Sequence, residues 1–229
     1  MKKGISYLVY GKERMEKLEA LGKKLVYPKN YVIAEPDEPT PYCYIVKKGC
    51  VVSYEYYING EKRLYRFHER DALFLEANVL FDRPPSMGFK TTCKTELLCI
   101  SKADLLCAMK EDGAFALKIM ESTSDKFFNY MEQVRYEKNH DVTSRICDLF
   151  LDMAKYYGVP ILYENKILIR QKLSQQLISE MLGVNRITVV RIIKKLKEMG
   201  VIDQDGKNYI ICDKKRLEEL QHAGEDAFL

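Results

Sequence analysis

Three basic side chains near the C-terminal end of the chain have the spacing of one helix face. Arg186, Arg191 and Lys194 stand in the segment RITVVRIIKKLK, at intervals that place them on the same side of an α-helix. A basic helix face attracts DNA phosphates and can enter a major groove. The segment therefore predicts a DNA-contacting helix, although a helical hairpin with a solvated basic face is an alternative that it leaves open.

A helix-turn-helix over residues 173–202 would position these side chains. Ser174 can cap a first helix, Gly183 can end it in the left-handed conformation, and Asn185 can cap a second helix that starts at about Arg186. Gly200 would stop the second helix. The predicted core positions are Leu177, Ile178, Met181 and Leu182 in the first helix and Val189, Ile192, Ile193 and Leu196 in the second.

The segment after the second helix predicts a β-hairpin. Residues 203–212, DQDGKNYIIC, place turn-forming Asp-Gly and Lys-Asn between two strand-forming stretches. A hairpin at this place looks like the wing of a winged helix-turn-helix. Residues 169–216 also hold 11 Lys and Arg against 5 Asp and Glu, whereas the whole chain has a net charge of only +4. This local excess of positive charge favours a polyanionic partner.

The N-terminal half has the pattern of an antiparallel β-structure. Between Lys24 and Lys102, short apolar or alternating segments are separated by turn residues, and Asn59-Gly60 is the clearest hairpin signal. The predicted strands are residues 32–34, 43–46, 51–57, 63–67 and 96–100. Their spacing indicates a compact barrel or roll.

A long helix is predicted over residues 114–138, after a short helix over 102–109. Along one side of this helix, mostly apolar residues recur at alternating intervals of four and three positions: Met120, Ser124, Phe127, Met131 and Val134. Such a stripe is typical of a helix that pairs with a second copy of itself. Met120, Phe127, Met131 and Val134 are therefore the predicted dimer interface, and packing onto the chain's own barrel is the alternative.

A hinge is predicted where residues 139–141 interrupt the long helix. Asp141 can cap a further helix that runs through Tyr157 and ends at Gly158 and Pro160, and residues 161–169 then resemble a pair of strands. With 229 residues, 47% of them hydrophobic, the chain is long enough for two modest domains.

The seven cysteines and three histidines show no metal-site or disulfide pattern. No two cysteines have C-x-x-C spacing, and His68, His140 and His222 are scattered. Most cysteines are expected to be small buried hydrophobes, and redox sensing by Cys43 and Cys50 is left open. No metal or cofactor is predicted. Neither a secretion signal nor an apolar run near the roughly 20 residues that a bilayer requires is present, which predicts a cytoplasmic protein without a membrane partner.

The order of barrel, long helix, hinge, helix-turn-helix and wing resembles the Crp/Fnr family of bacterial transcription regulators. The resemblance is strongest in Ser174-Gln175-Gln176, Gly183-Val184, Arg186-Ile-Thr-Val-Val-Arg191, Leu196 and Gly200-Val-Ile202. Weaker matches are Tyr44-Ile-Val-Lys-Lys-Gly49, Asn59-Gly60-Glu61 and Phe74-Leu75-Glu76. Within the family the helix-turn-helix is most similar to Fnr-type and organohalide-respiration-type regulators.

The resemblance implies an α+β fold without enzymatic activity. Its parts are an N-terminal antiparallel β-roll of the cyclic-nucleotide-binding, jelly-roll type, a long dimerisation helix and a C-terminal winged helix-turn-helix. The corresponding domains are residues 1–111 for effector sensing, 112–139 for dimerisation and 140–229 for DNA binding. The implied partners are a palindromic site in double-stranded DNA, a second copy of the chain and a small-molecule effector, with RNA polymerase as a further candidate.

The family's DNA contacts carry over unevenly. Arg191 matches the base-reading arginine, which can donate two hydrogen bonds to guanine, and Arg186 matches a second contact position. The family often has a glutamate where this chain has Ile187, which cannot accept a bond from cytosine and favours a thymine methyl group instead. The full set of predicted DNA contacts is Ser174, Gln175, Arg186, Ile187, Thr188, Val190, Arg191 and Lys194, of which Ser174 and Gln175 are expected at phosphates.

The family's cyclic-nucleotide contacts are incomplete in this chain. The Gly-Glu and Arg-Ser pairs of those members correspond here to Leu75-Glu76 and Pro85-Ser86, so the phosphate-binding arginine is absent. Without it a buried phosphate would be unpaired, which predicts an effector other than cyclic AMP. An Fnr-type iron–sulfur cluster is also not expected, because no cysteine precedes Cys43. The predicted effector pocket consists of Tyr44, Phe74, Glu76, Arg83 and Ser86.

Two alternatives to an effector-controlled regulator remain open on the sequence. In one, the protein binds DNA but its β-roll is an effector-free dimerisation module. In the other, the roll is a metal-dependent cupin-like enzyme, which would require clustered His and Glu ligands.

Overall fold

A computed structural model describes residues 18–162 and 164–224, which fall into two compact units. The roll unit contains residues 18–56 and 64–131. The helix-turn-helix unit contains residues 57–63 and 132–224. The predicted fold class is confirmed, because an antiparallel roll, a long helix and a winged helix-turn-helix follow one another along the chain. The domain boundaries at 111/112 and 139/140 stay a prediction.

The roll unit is built on two four-stranded sheets with strand orders β1-β8-β3-β6 and β2-β7-β4-β5. The strands are β1 Lys23–Tyr27, β2 Val32–Ala34, β3 Tyr42–Lys48, β4 Val51–Tyr56, β5 Lys62–His68, β6 Leu73–Phe74, β7 Gly88–Thr91 and β8 Thr95–Ser101. The helices are α1 Glu76–Leu80, α2 Lys102–Glu111 and α3 Gly113–Asn139. All five predicted strands and both predicted helices are confirmed, whereas β1, β6, β7 and α1 were not predicted.

Strands β3 and β8 are buried on both faces, and alternate residues point into two different apolar clusters. Cys43 and Ile45 of β3 pack in the cluster that α2 and α3 cover, through Leu105, Phe115 and Ile119. Tyr44 and Val46 pack in the second cluster with Phe74 and Phe89. Burial on both faces explains why β3 is a continuous apolar run rather than an alternating one.

Helix α3 leaves an apolar face exposed in the single chain. Its buried residues are Phe115, Ile119 and Ser122. Met120 is 62% exposed, Phe127 59% and Met131 51%, while Val134 is half-buried. The predicted stripe therefore differs from the face that packs onto the roll unit.

The helix-turn-helix unit combines four helices with a second small sheet. The helices are α4 Val142–Tyr157, α5 Gln175–Leu182, α6 Arg186–Glu198 and α7 Lys214–Ala223. The sheet has the order β11-β12-β10-β9, with β9 Gly158–Pro160, β10 Ile167–Ile169, β11 Ile202–Asp205 and β12 Asn208–Ile211.

Two local predictions for this unit are confirmed and one needs correction. Asp141 caps α4 by accepting a hydrogen bond from the Ser144 amide. The wing is the β11–β12 hairpin, which turns at Gly206 with φ of 58°. The strand pair placed at 161–169 is wrong in its first half, because Gly158–Pro160 pairs with Ile167–Ile169.

Candidate nucleic-acid interface and effector site

Three residues set the start of α5, its end and the start of α6. The Ser174 hydroxyl accepts from the Leu177 amide at 3.0 Å and starts α5. Gly183 ends α5 in the left-handed conformation with φ of 61°. The Asn185 side-chain oxygen then accepts from the Ile187 amide at 2.8 Å and starts α6. These three residues therefore act as predicted, because each cap satisfies an amide or carbonyl that the helix itself leaves unpaired.

Helix α6 has one buried face and one exposed face. Val189, Ile192, Ile193 and Leu196 are buried in the unit. Arg186, Ile187, Val190, Arg191 and Lys194 are exposed, and Thr188 is half-buried. Ile187 is 77% exposed and Val190 37%. The side chains predicted to contact DNA thus lie together on the solvent-facing side of α6.

Lys194, one of the basic side chains of this face, is held only weakly. Lys194 Nζ lies 3.6 Å from Glu198 Oε1, and both side chains are mostly exposed. An exposed pair of this kind contributes little and exchanges readily for a phosphate contact. Ser174 is exposed and Gln175 half-buried at the start of α5.

Two arginines that sequence reasoning missed hold the end of α5. The Leu182 carbonyl accepts from Arg63 Nη1 at 3.1 Å and from Arg145 Nη2. Arg63 also forms an ion pair with Glu137, which lies 3.9 Å from Arg145. Positive groups are favourable at a helix C-terminus, where carbonyls lack intrahelical donors. Arg63 and Leu182 are 119 residues apart, so no local pattern predicts their contact.

Residues 57–63, the turn before β5 and the first two residues of that strand, belong to the helix-turn-helix unit and make two further contacts there. Asn185 Nδ2 donates to Glu61 Oε1 at 2.8 Å. Lys62 Nζ lies 3.8 Å from a carboxylate oxygen of Glu180. A Cβ atom added at Gly183 would collide with the Arg63 side chain. Gly183 is thus required both by its positive φ and by the close approach of Arg63.

The predicted effector residues separate into buried and exposed groups. Tyr44 and Phe74 are buried and their rings stack at 5.3 Å between centroids. Glu76 is 2% exposed and its carboxylate accepts from Lys126, from Ser122 at 3.5 Å and from Thr123 at 3.4 Å. Arg83 and Ser86 are both exposed, so these two side chains are not buried with Glu76.

Two polar side chains of β5 join the buried group, and neither was predicted as a site residue. His68 is 5% exposed, and its ring lies 5.0 Å from Phe74 and 5.7 Å from Phe89. His68 Nε2 and Arg66 Nη1 are buried without a hydrogen-bond partner among the described residues. Burial, with the positive charges of Lys126 and Arg66 nearby, holds the pKa of His68 well below its usual range.

The cysteines do not follow a single pattern of burial. Cys43, Cys99 and Cys147 are buried, but Cys93 and Cys107 are exposed, so the expectation that most are buried hydrophobes is wrong. Burial raises the pKa of Cys43 to about 12 and that of Cys50 to about 11. Neither thiol therefore carries the thiolate that redox chemistry at neutral pH requires.

Within the described residues, no group of three or more His, Cys, Asp and Glu is placed to hold a metal ion. Over the same residues, no helix is long and apolar enough to cross a bilayer.

Each half of the chain matches the model of a known domain family. Residues 144–220 match the Crp-like helix-turn-helix domain, and residues 24–112 match the cyclic nucleotide-binding domain. The chain belongs to the Crp/Fnr family of transcription regulators. Members of the family are regulators and not enzymes, so the cupin-like alternative is set aside.

Three individual proteins are similar to this chain over most of their length. The global nitrogen regulator of Nostoc sp. is 25% identical over 178 residues, which cover 77% of this chain and 79% of that protein. The structure of a CprK variant complexed with OCPA has a TM-score of 0.73 at 20% identity, covering 95% of this chain and 97% of CprK. The c-di-GMP responsive regulator CLP of Xanthomonas campestris has a TM-score of 0.76 at 20% identity, and the match covers 88% of this chain and 99% of CLP.

Proposed function

We propose that this Crp/Fnr regulator binds a palindromic site in double-stranded DNA as a homodimer and that a small molecule other than cyclic AMP, bound in the roll unit, controls it. The observation that carries the DNA-binding proposal is the division of α6 into a buried apolar face and an exposed face with Arg186, Arg191 and Lys194. Arg191 would read a base, Ile187 would contact a thymine methyl group, and Ser174 and Gln175 would contact phosphates.

The homodimer is supported by the exposed face of α3. A monomer would leave Met120, Phe127 and Met131 more than half exposed, and a cluster of this kind on one helix marks an interaction surface. Pairing of α3 with α3 of a second copy would bury this face and present two recognition helices to two half-sites.

The buried polar groups of the roll unit bear on whether an effector binds there. The Glu76 carboxylate already accepts from three side chains of α3, namely Ser122, Thr123 and Lys126. These contacts favour the alternative in which the roll binds no effector. The unpartnered buried donors of Arg66 and His68 favour a ligand, since such groups are rare in native proteins unless something binds them.

A binding assay with a selected site tests the core of the proposal. The full chain would be used to enrich its site from random double-stranded DNA, and affinities would then be compared with a scrambled site. Arg191→Ala should lose most of the discrimination between the two, about 1–3 kcal/mol for one bidentate arginine. Lys110→Ala, which removes an exposed positive charge from α2, is the control. Unchanged discrimination in Arg191→Ala would contradict the proposal.

A further inference from the structure

Arg66 and His68 present unpaired, buried nitrogen atoms on one face of β5. They are two residues apart on a strand, so their side chains project from the same side of the sheet. Nη1 of Arg66 and Nε2 of His68 are both buried, and neither meets an acceptor among the described residues. An unpaired buried donor costs about 1–3 kcal/mol, and a ligand that accepts from both atoms would remove this cost.

The charged groups around Arg66 and His68 carry one more positive charge than negative charge. Glu76 is paired with Lys126, so these two ions balance each other. The pKa of His68 is held well below its usual range by burial and by Lys126 and Arg66, so the imidazole is neutral at pH 7. The guanidinium of Arg66 is then the excess positive charge. Glu76 and Asp125 both act on Arg66 electrostatically. Asp125 is exposed and solvent screens its charge, so Lys126 and Arg66 are two positive groups around the one buried carboxylate of Glu76.

The ring of His68 also contacts aromatic side chains. Its ring lies against Phe74 and Phe89, and these two rings stack on each other at 5.5 Å. Tyr44 extends the stack beyond Phe74. A ligand that reaches the two donors therefore meets aromatic side chains with the rest of its body.

We propose that Arg66 and His68 bind the carboxylate of a small organic acid whose apolar body packs against Phe74 and Phe89. This inference rests on the proposed control of the regulator by an effector in the roll, and it names the chemical class of that effector. A monocarboxylate supplies one charge for Arg66 and a second oxygen for the Nε2–H tautomer of neutral His68. A phosphate ester would bring more charge and more acceptor oxygens than these two donors satisfy.

Calorimetric titration of the full chain tests this assignment with paired probes. Benzoate and octanoate offer an aromatic and an aliphatic body, while benzamide and octanamide have the same bodies without charge. At least one of the two acids is expected to bind wild-type protein, and its amide to bind at least tenfold more weakly. Arg66→Gln is expected to weaken the acid by at least tenfold, and Arg70→Gln, which removes an exposed arginine of the same segment, to leave it unchanged.

Further variants keep the test decisive if Arg66→Gln folds poorly. Arg66→Lys retains the charge and should retain part of the affinity, while His68→Gln retains a donor and should weaken binding less than His68→Phe. Equal binding of an acid and its amide, or of an acid to wild type and Arg66→Gln, would overturn the assignment. Failure of both acids to bind would also overturn it. The DNA-binding assay with Arg191→Ala tests the DNA-binding function separately, because Arg191 belongs to the helix-turn-helix unit whereas Arg66 and His68 belong to the roll unit.

Discussion

The Asn185 side-chain amide donates to a carboxylate oxygen of Glu61 at 2.8 Å while its own oxygen caps α6 by accepting from the Ile187 amide. The two bonds together fix the orientation of the amide, since the donor and acceptor ends have different partners. They also place a carboxylate beside the N-terminus of the helix that is proposed to enter DNA. A negative charge stabilises this end of a helix but repels the phosphates of an approaching duplex.

Removal of the Glu61 charge should strengthen DNA binding at low salt. Glu61→Gln keeps an oxygen that can accept from Asn185, so the capping geometry is retained while the repulsion disappears. We expect an increase in affinity of about threefold, in the range of exposed charge interactions, which shrinks as salt rises. Fluorescence anisotropy from low to high salt measures it. Glu38→Gln, an exposed carboxylate of the roll unit, should give no such gain.

Alanine at Gly183 should destabilise the protein more than alanine at Gly200. Both glycines have positive φ, 61° and 68°, but only at Gly183 does an added Cβ meet another side chain, that of Arg63. Gly200→Ala should cost about 1 kcal/mol of backbone strain. Gly183→Ala should cost at least about 1 kcal/mol more because of overpacking. Urea unfolding compares the two, and equal losses would show that Arg63 moves aside without cost.

Glutamate at position 187 should change the preferred base, and its negative charge should also weaken overall DNA binding at low salt. Ile187 is exposed on the outer face of α6, so the substitution should leave stability within about 0.5 kcal/mol. A carboxylate there can accept from the amino group of cytosine, which isoleucine cannot do. Site selection from random DNA should therefore enrich cytosine at one position of each half-site. Ile187→Val should keep the wild-type preference.

Aspartate at Phe127 should convert the proposed dimer into monomers. The side chain is 59% exposed in the single chain, so the monomer fold should tolerate the change, whereas a buried interface should not tolerate an unpaired charge. Sedimentation equilibrium measures the dissociation constant, and DNA affinity should fall with it because two half-sites would be bound separately. Leu162→Asp, at an exposed leucine outside α3, is the control. A Phe127→Asp variant that remains dimeric would show that Phe127 does not lie in the dimer interface.

Acid should destabilise the wild-type protein more than a variant without His68. The pKa of His68 is depressed in the folded protein, so the unfolded chain takes up a proton that the folded chain does not. This contribution is fully present above the unfolded pKa of about 6.5 and is lost as pH falls below it, by at most about 1.4 kcal/mol per pH unit. Urea unfolding between pH 7 and 5 should show a shallower decline for His68→Gln. His222→Gln, at an exposed histidine, should decline like wild type.

The helix-turn-helix was predictable because its determinants are local. Ser174, Gly183 and Asn185 act on groups within five residues of themselves, and the buried stripe of α6 follows from helix periodicity. The strands β6 and β7 were missed because β6 has only two residues, Leu73 and Phe74, and β7 reads GFKT. Neither is long enough for a clear alternation.

The effector site was only partly predictable because tertiary packing decides which polar groups are buried. Glu76 is buried, but Arg83 and Ser86, selected from their position in a family motif, are exposed. His68 and Arg66 gave no sequence signal, since a polar residue in a strand is most often on the solvent face. The burial of His68 follows from the rings of Phe74 and Phe89, which come from β6 and β7.

Strand β5 carries both the arginine that holds the end of α5 and the donors proposed to bind an effector. Arg63 and Arg66 are three residues apart on this strand, which corresponds to about 10 Å of extended backbone. An extended strand held by a sheet resists stretching, so a displacement of Arg66 along the strand axis would also displace Arg63 and its contact with Leu182. If an effector binds at Arg66 as proposed, β5 therefore offers it a covalent route to Arg63 that does not pass through the long helix.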